Sequence, residues 1–334
     1  MSERILLTGA SGFIGRNLLP ALRDEGYEIY CITREDSFSP GFEEYLRAAG
    51  IRARAIKCDL TDPRQVGRAV SRVSPDAAIH MAALASVGAS WSRGMWKKYM
   101  EVNYFGTVNL VNALSKLRDF RLLIHYSTPE VFKEQPAECA EDSPVYPASP
   151  YAISKAAAEF YVVSCCDVPA AVVRPANTYD RSALRDNLEE ARKYFVEKAV
   201  IDLLTKGRVS FDGSPETVRT WMHVSDHVSA IKLLLSRGID SGLEGRRVFN
   251  IAPPDGTRSC GEMFGAILAA LRELGAISGE VEVTWNNRPR PRDPRVLAVD
   301  GRKFREEFPQ WKPLPLMAGV RRTAENWIRA LGRG

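Results

Sequence analysis

The sequence predicts a doubly wound, parallel α/β sheet with a smaller, discontinuous second α/β domain. Three observations predict it. Short apolar runs alternate with helical patterns through the first half of the chain, a glycine-rich turn joins the first run to the first helix, and beyond about residue 177 the rhythm loosens into polar and Pro-rich segments.

"RILLTG" (Arg4 to Gly9) is a short apolar run closing on a glycine, the pattern of a buried parallel strand. "FIGRNLLPALRDEG" follows with helical periodicity and stops at Gly26. "YEIYCITR", "RARAIKCDLTD", "PDAAIHMAA", "RLLIHYST" and "AAVVRPAN" supply the second to sixth strands, with helical patterns between them. Farther on, "TVRTWMHVSDHVSAIKLLL" returns to strand-then-helix, and "RRVFNIAP" is another short strand. This reading gives residues 1–176 and 218–252 to the first domain, and 177–217 and 253–330 to the second.

Composition bounds the function. With 334 residues, 45% of them apolar, the chain can bury a sizeable core. No apolar run reaches the roughly 18 residues of a membrane span. The start, "MSERILLTGASG", is charged where a secretion signal needs an apolar stretch. The six cysteines form no CxxC pair and the four histidines are scattered, so the expectation is no metal and reduced thiols in the cytoplasm. A net charge of +5 suits an anionic small ligand, whereas the interleaving of basic with acidic residues argues against nucleic acid. "RPRPRDPR" (Arg288 to Arg295) reads either as a solvated loop or as an anion clamp.

"TGASGFIG" places glycines at 9, 12 and 15 between a strand and a helix. Gly9 allows the tight turn, Gly12 lets the backbone approach a pyrophosphate, and Gly15 permits close helix–sheet packing. The helix start offers free N–H groups and the positive end of its dipole. The pattern reads as a Rossmann dinucleotide site, with Ser11, Phe13 and Ile14 completing it. At the end of the second strand stand Thr33, Arg34 and Glu35. Arg34 can pair with a 2′-phosphate, which favours NADP, and Glu35 keeps NAD open. Asp59 and Leu60 would lie near the adenine, with Asp59 also a candidate helix cap.

"SPYAISKAAAEFY" puts Tyr151 four residues before Lys155, on one helical face. Free tyrosine has a pKa of about 10, and a neighbouring cation favours its phenolate. Tyr151 could then take the proton of a substrate hydroxyl while hydride leaves the same carbon.

Together with "CDLTD", "HMAA", "VNYFGT", "STPEVF", "RPANTY" and "RTWMHVSDH", these motifs resemble the nucleotide-sugar epimerase/dehydratase family of extended short-chain dehydrogenase/reductases over nearly the whole chain. The resemblance implies a catalytic triad of Thr128, Tyr151 and Lys155, with Ala82, Ala83 and Asn103 beside the cofactor and Asn103 supporting the lysine. It implies Ser86, Val87, Asn177, Arg219 and Arg290 at the nucleotide-diphosphate sugar, with Arg292 the alternative to Arg290. It also implies a homodimer through the helices of residues 91–114 and 151–165. Members first oxidise the sugar C4 hydroxyl. Glu130 stands where a 4,6-dehydratase keeps its C5 base, so the reading is an NDP-hexose 4,6-dehydratase, with 4-epimerase or 4-keto-sugar reductase as alternatives. A non-catalytic dinucleotide-binding sensor or scaffold is the alternative of another class. The chain departs from the family at Pro129, where an Asp or Ser is usual, at Phe132 and Lys133, and at "TYDR" in place of Tyr-Gly-Pro.

Overall fold

The computed structural model describes every residue except Met1, Lys133, Pro136, Arg185, Asp186, Gly245, Pro289, Arg333 and Gly334, so the departure at Lys133 lies outside the described residues. In chain order the elements begin with β1 (Arg4–Thr8), α1 (Phe13–Asp24), β2 (Glu28–Thr33), α2 (Pro40–Ala48), β3 (Ala53–Lys57), α3 (Pro63–Val73) and β4 (Ala77–His80). There follow α4 (Val87–Ser90), α5 (Met95–Tyr99), α6 (Gly106–Leu114), β5 (Leu122–Tyr126), α7 (Pro150–Cys165), β6 (Ala170–Pro175) and β7 (Asn177–Tyr179). Next come α8 (Leu188–Ala191), α9 (Phe195–Lys206), β8 (Arg208–Phe211), β9 (Val218–His223), α10 (Val224–Asp240) and β10 (Arg246–Ile251). The chain closes with β11 (Thr257–Ser259), α11 (Cys260–Glu273), β12 (Glu282–Trp285), β13 (Val296–Leu297), α12 (Arg302–Glu307) and α13 (Leu316–Ala330).

Two compact units result: residues 1–133, 144–175 and 228–249, and residues 134–143, 176–227 and 250–334. The first holds a seven-stranded sheet of order β10-β6-β5-β4-β1-β2-β3, parallel from β6 through β3. Strands β4 and β5 are buried along their whole length, which is why they read as continuous apolar runs. The order reverses between β1 and β4, the switch point at which doubly wound sheets open a crevice.

The covering helices follow local rules. Asp62 caps α3 by accepting from Arg64 N and Gln65 N, and Pro63 takes the first helical position. Val66, Ala69, Val70 and Val73 then form one apolar stripe against Leu110 and Leu114 of α6 and Leu6, Ala78 and Leu123 of the sheet. Each such buried aliphatic side chain stabilises by roughly 1.5–3 kcal/mol. Helices α5 and α6 are joined by a π-helical turn, Met100–Phe105, which carries Asn103.

The second unit contains β11-β9-β13 with β7 against β9, and a separate β12–β8 pair. Its core gathers Val196, Val200, Phe264, Ile267 and Trp327. The sequence assigned residues 218–227 to the first domain. The structure places them in the second, because β9 spends its hydrogen bonds on β7, β11 and β13 rather than on the large sheet. No helix among the described residues is long and apolar enough to cross a membrane.

Candidate active site

Gly9 sits at φ +75°, and a Cβ there would lie 2.8 Å from Ala82 N. A Cβ on Gly15 would collide with the Ala10 backbone. Gly12 differs: its Cβ would meet only the Gly9 carbonyl oxygen, at 3.3 Å. Internal packing therefore demands glycine at 9 and 15. At 12 the internal constraint is milder, and a bare backbone there is compatible with a pyrophosphate at the α1 N-terminus. The residues present fit a dinucleotide.

Around this turn, Thr8 Oγ1 accepts from Ala82 N at 3.0 Å and so ties the end of β1 to the chain leaving β4, where Ala82 and Ala83 are half-buried. Ser11 is exposed, Phe13 is buried at the head of α1, and Ile14 is half-buried. Arg34 and Glu35 are exposed just beyond β2. Asp59 is not a helix cap: its Oδ1 accepts from Thr61 N and Thr61 Oγ1, and Asp62 caps α3 instead. Leu60 is buried and its carbonyl accepts from Asn109 Nδ2 at 2.9 Å.

Thr128, Tyr151 and Lys155 are all buried. Thr128 follows β5 and caps a 3₁₀ turn, Pro129–Val131, its Oγ1 accepting from Glu130 N at 3.3 Å. The accepted bond leaves the hydroxyl proton for another oxygen. Helix α7 starts where it does because Ser149 Oγ accepts from Ala152 N at 3.1 Å and Pro150 fixes the first helical φ. Tyr151 and Lys155 thereby stand on one face of its first two turns, and α7 packs against the Pro129–Val131 turn. Tyr99 meets the Tyr151 ring edge-on at 6.3 Å and donates its hydroxyl to the Ser86 carbonyl at 2.7 Å. Ser86 caps the short α4, and Val87 begins it.

Burial pushes the Lys155 pKa down to about 8, against the opposing pull of the Glu159 carboxylate. The neighbouring imidazoles stay neutral. Burial, and then the Lys155 charge, push His80 down to about 3, and burial, Lys155 and His80 hold His125 well below its usual range. A phenol beside a buried ammonium can exchange a proton with a hydroxyl held by Thr128.

Asn103, expected beside the cofactor as a support for Lys155, makes three hydrogen bonds within the fold. Its Oδ1 accepts from Leu84 N at 2.8 Å, and its Nδ2 donates to the Leu84 carbonyl at 3.0 Å and Ser154 Oγ at 2.9 Å. It thus fastens the loop after β4 to the residue beside Lys155. Sequence reasoning passed over Glu159, Arg174 and Ser127. The signals available were an acid one turn past Lys155 and a charge inside the apolar "VVRP".

In the second unit, Asn177 is exposed on β7 and its Nδ2 donates to the Thr220 carbonyl at 3.4 Å. Arg219 is buried on β9. Its Nη2 donates to Asp293 Oδ1 at 3.0 Å, and Arg290 Nη2 donates to the same oxygen at 2.5 Å. Arg219 and Arg290 thus converge on one carboxylate. Such paired guanidiniums suit phosphate oxygens. Arg292 stands at φ +53° in the same loop.

Residues 5–252 match the family model described as NAD dependent epimerase/dehydratase family. The dTDP-glucose 4,6-dehydratase of Mycolicibacterium smegmatis is 32% identical over 244 residues, covering 70% of this chain and 69% of that protein. The UDP-glucose 4-epimerase of the same organism is 30% identical over 330 residues, covering 96% and 97%. Among solved structures, Thermotoga maritima UDP-glucose 4-epimerase with UDP-glucose superimposes with a TM-score of 0.77 at 24% identity, covering 98% of this chain and 99% of that one. Bacillus anthracis dTDP-glucose 4,6-dehydratase with NAD gives a TM-score of 0.77 at 21%, covering 98% and 97%. The family match together with the first two identities decides the kinship, and the solved structures repeat the fold: the chain belongs to the NAD dependent epimerase/dehydratase family, enzymes of the extended short-chain dehydrogenase/reductase class.

Proposed function

We propose that the enzyme oxidises the C4 hydroxyl of a nucleotide-diphosphate hexose and carries the product on as a 4,6-dehydratase. The carrying observation is the grouping of Thr128, Tyr151 and Lys155 between the end of β5 and the start of α7, with Glu130 two residues from Thr128. Thr128 holds the reacting oxygen, Tyr151 takes its proton, and Lys155 stabilises the phenolate. A bound nicotinamide supplies the hydride acceptor. The resulting 4-keto group acidifies the C5 proton, which Glu130 removes as the C6 hydroxyl departs; return of the hydride to C6 and of a solvent proton to C5 would then complete the loss of one water and leave the dinucleotide oxidised. Asn177, Arg219 and Arg290 hold the diphosphate and sugar.

A 4-epimerase is the second reading, and Pro129 favours it. Proline has no donor to offer the leaving C6 hydroxyl, and an epimerase relative aligns over 96% of the chain. Incubation with a panel of nucleotide hexoses in deuterated water separates the two. Loss of one water with deuterium at C5 supports the dehydratase. An isomer of unchanged mass without deuterium supports the epimerase. A panel left untouched defeats both.

Arg34 supports NADP; Glu35 and the NAD bound in solved structures of the same fold support NAD. Titration of the protein with each dinucleotide decides between them. A homodimer is supported by Trp96, Phe105, Ile153 and Phe160, large side chains left exposed along residues 95–105 and α7. A monomer at micromolar concentration by light scattering would refute it. Six free thiols, all buried except Cys165, suit the reducing cytoplasm.

A further inference from the structure

Behind the candidate triad lies a buried ionic hub that the motifs do not announce. Glu159 stands on α7 one turn beyond Lys155, and both side chains are buried. Its carboxylate is gripped by Arg174 of β6: Nε donates to Oε2 at 3.1 Å and Nη2 donates to Oε1. Ser127 Oγ also donates to Oε2, at 2.5 Å. Ser127 is the residue immediately before Thr128. The Arg174 guanidinium lies 4.6 Å above the Phe132 ring, on the far side of the Pro129–Val131 turn. One carboxylate therefore joins the helix that carries Tyr151 and Lys155, the strand end that carries Thr128, and β6.

We infer that Glu159 is a positioning residue, which holds Thr128 in register with Tyr151 and keeps Lys155 protonated. The inference rests on the catalytic reading of Tyr151 and Lys155. The charged and titratable groups around Lys155 are Tyr151 and Glu159 on its own helix, His80 on β4, His125 on β5, and, through Glu159, Arg174 on β6. Both histidines are neutral there, so among the described residues it is the Glu159 carboxylate that supports the ammonium. Arg174 alone could not play this part, because it carries the same sign as Lys155.

The test uses Glu159→Gln, Glu159→Asp and the pair Glu159→Gln/Arg174→Met. The double variant removes both charges and guards against an unpaired Arg174 unfolding the single one. Two readouts are taken from pH 6 to about 10, the range that brackets the lysine transition. The first is kcat against pH. Activity that needs the ammonium falls as pH rises through the Lys155 transition. That limb should move about one pH unit lower in Glu159→Gln, and less in the double variant because the like-charged Arg174 leaves with Glu159, with kcat affected more than KM, and stay in place in Glu159→Asp.

The second readout is stability against pH, without substrate. The folded Lys155 pKa, about 8, lies below its ordinary 10.5, so the unfolded chain holds more protons between these values and stability rises with pH there. The onset of that rise should also move about one unit lower in Glu159→Gln, less in the double variant, and vanish in Lys155→Met. A wild-type onset and kcat limb in both Glu159→Gln and the double variant overturn the inference, as does an aspartate variant shifted like the glutamine one. Full activity in Tyr151→Phe would instead defeat the catalytic reading, and would leave the stability readout to judge Glu159.

Discussion

Gly9 and Asp180 adopt nearly the same left-handed backbone, at φ +75° and +73°, and reach it by opposite means. At Gly9 the surroundings forbid a side chain, since any Cβ would press on the backbone of Ala82. At Asp180, in the "TYDR" that stands in place of the Tyr-Gly-Pro the resemblance implies, the side chain itself holds the turn. Asp180 Oδ2 accepts from His223 Nε2 at 3.1 Å and from Asn326 Nδ2 at 2.7 Å, while its own N–H donates to Glu197 Oε1 at 2.9 Å. Ser225 N donates to His223 Nδ1 at 3.1 Å, which leaves the ring proton on Nε2, aimed at Asp180. Because β7 ends at Tyr179 and β9 at His223, this carboxylate locks the ends of the two strands that carry Asn177 and Arg219. A strained turn can be kept by excluding atoms or by bonding them, and only the first kind leaves a bare backbone for a ligand.

The largest expected effect breaks the first device. Gly9→Ala should cost about 3 kcal/mol or more, combining left-handed strain with overlap, and should abolish dinucleotide binding. Denaturant unfolding and titration with NAD and NADP check both; a loss under about 1 kcal/mol would contradict the steric account.

Asp180→Ala breaks the second device. It keeps the strain and loses the bonds, for a cost of about 2 kcal/mol. Asp180→Gly loses the same bonds but relieves the strain, and should be about 1 kcal/mol milder. Equal costs would mean that the turn stores no strain. Burial alone would raise the Asp180 pKa, but the hydrogen bonds from His223, Ser182 and Asn326 outweigh it and hold the carboxyl low. A lowered carboxylate gives its stability above the unfolded pKa of about 3.9 and loses it as pH falls through the folded value. The gap between wild type and Asp180→Asn should therefore be full at neutral pH and close in strong acid.

The smallest effect concerns a buried group that lacks such compensation. Neither ring nitrogen of His125 has a hydrogen-bond partner among the described residues, although the ring is fully buried. Replacing it by leucine removes both orphaned atoms and should leave stability equal or raise it by up to about 1 kcal/mol. A clear loss in thermal unfolding would show that the imidazole is bonded in solution.

The same contrast explains what could be read from sequence. The parallel sheet was legible because buried strands leave apolar runs, and the glycine turn and the Tyr151–Lys155 pair because their geometry is local. Membership of residues 218–227 was not legible, since the choice of β7, β11 and β13 as partners for β9 depends on strands far along the chain. The capping error at Asp59 was avoidable: Pro63 marks the first helical position, and only Asp62 precedes it. The Glu159–Arg174 hub joins residues that no motif spacing connects.

The most direct test of the central claim follows the absorbance of reduced nicotinamide after nucleotide hexoses are mixed with the dinucleotide-loaded enzyme, in wild type and in Tyr151→Phe. The account predicts a transient signal with at least one sugar in wild type and its loss in the variant, with sugar and dinucleotide still bound. An undiminished signal in Tyr151→Phe, or none in wild type with any sugar of the panel, would contradict it.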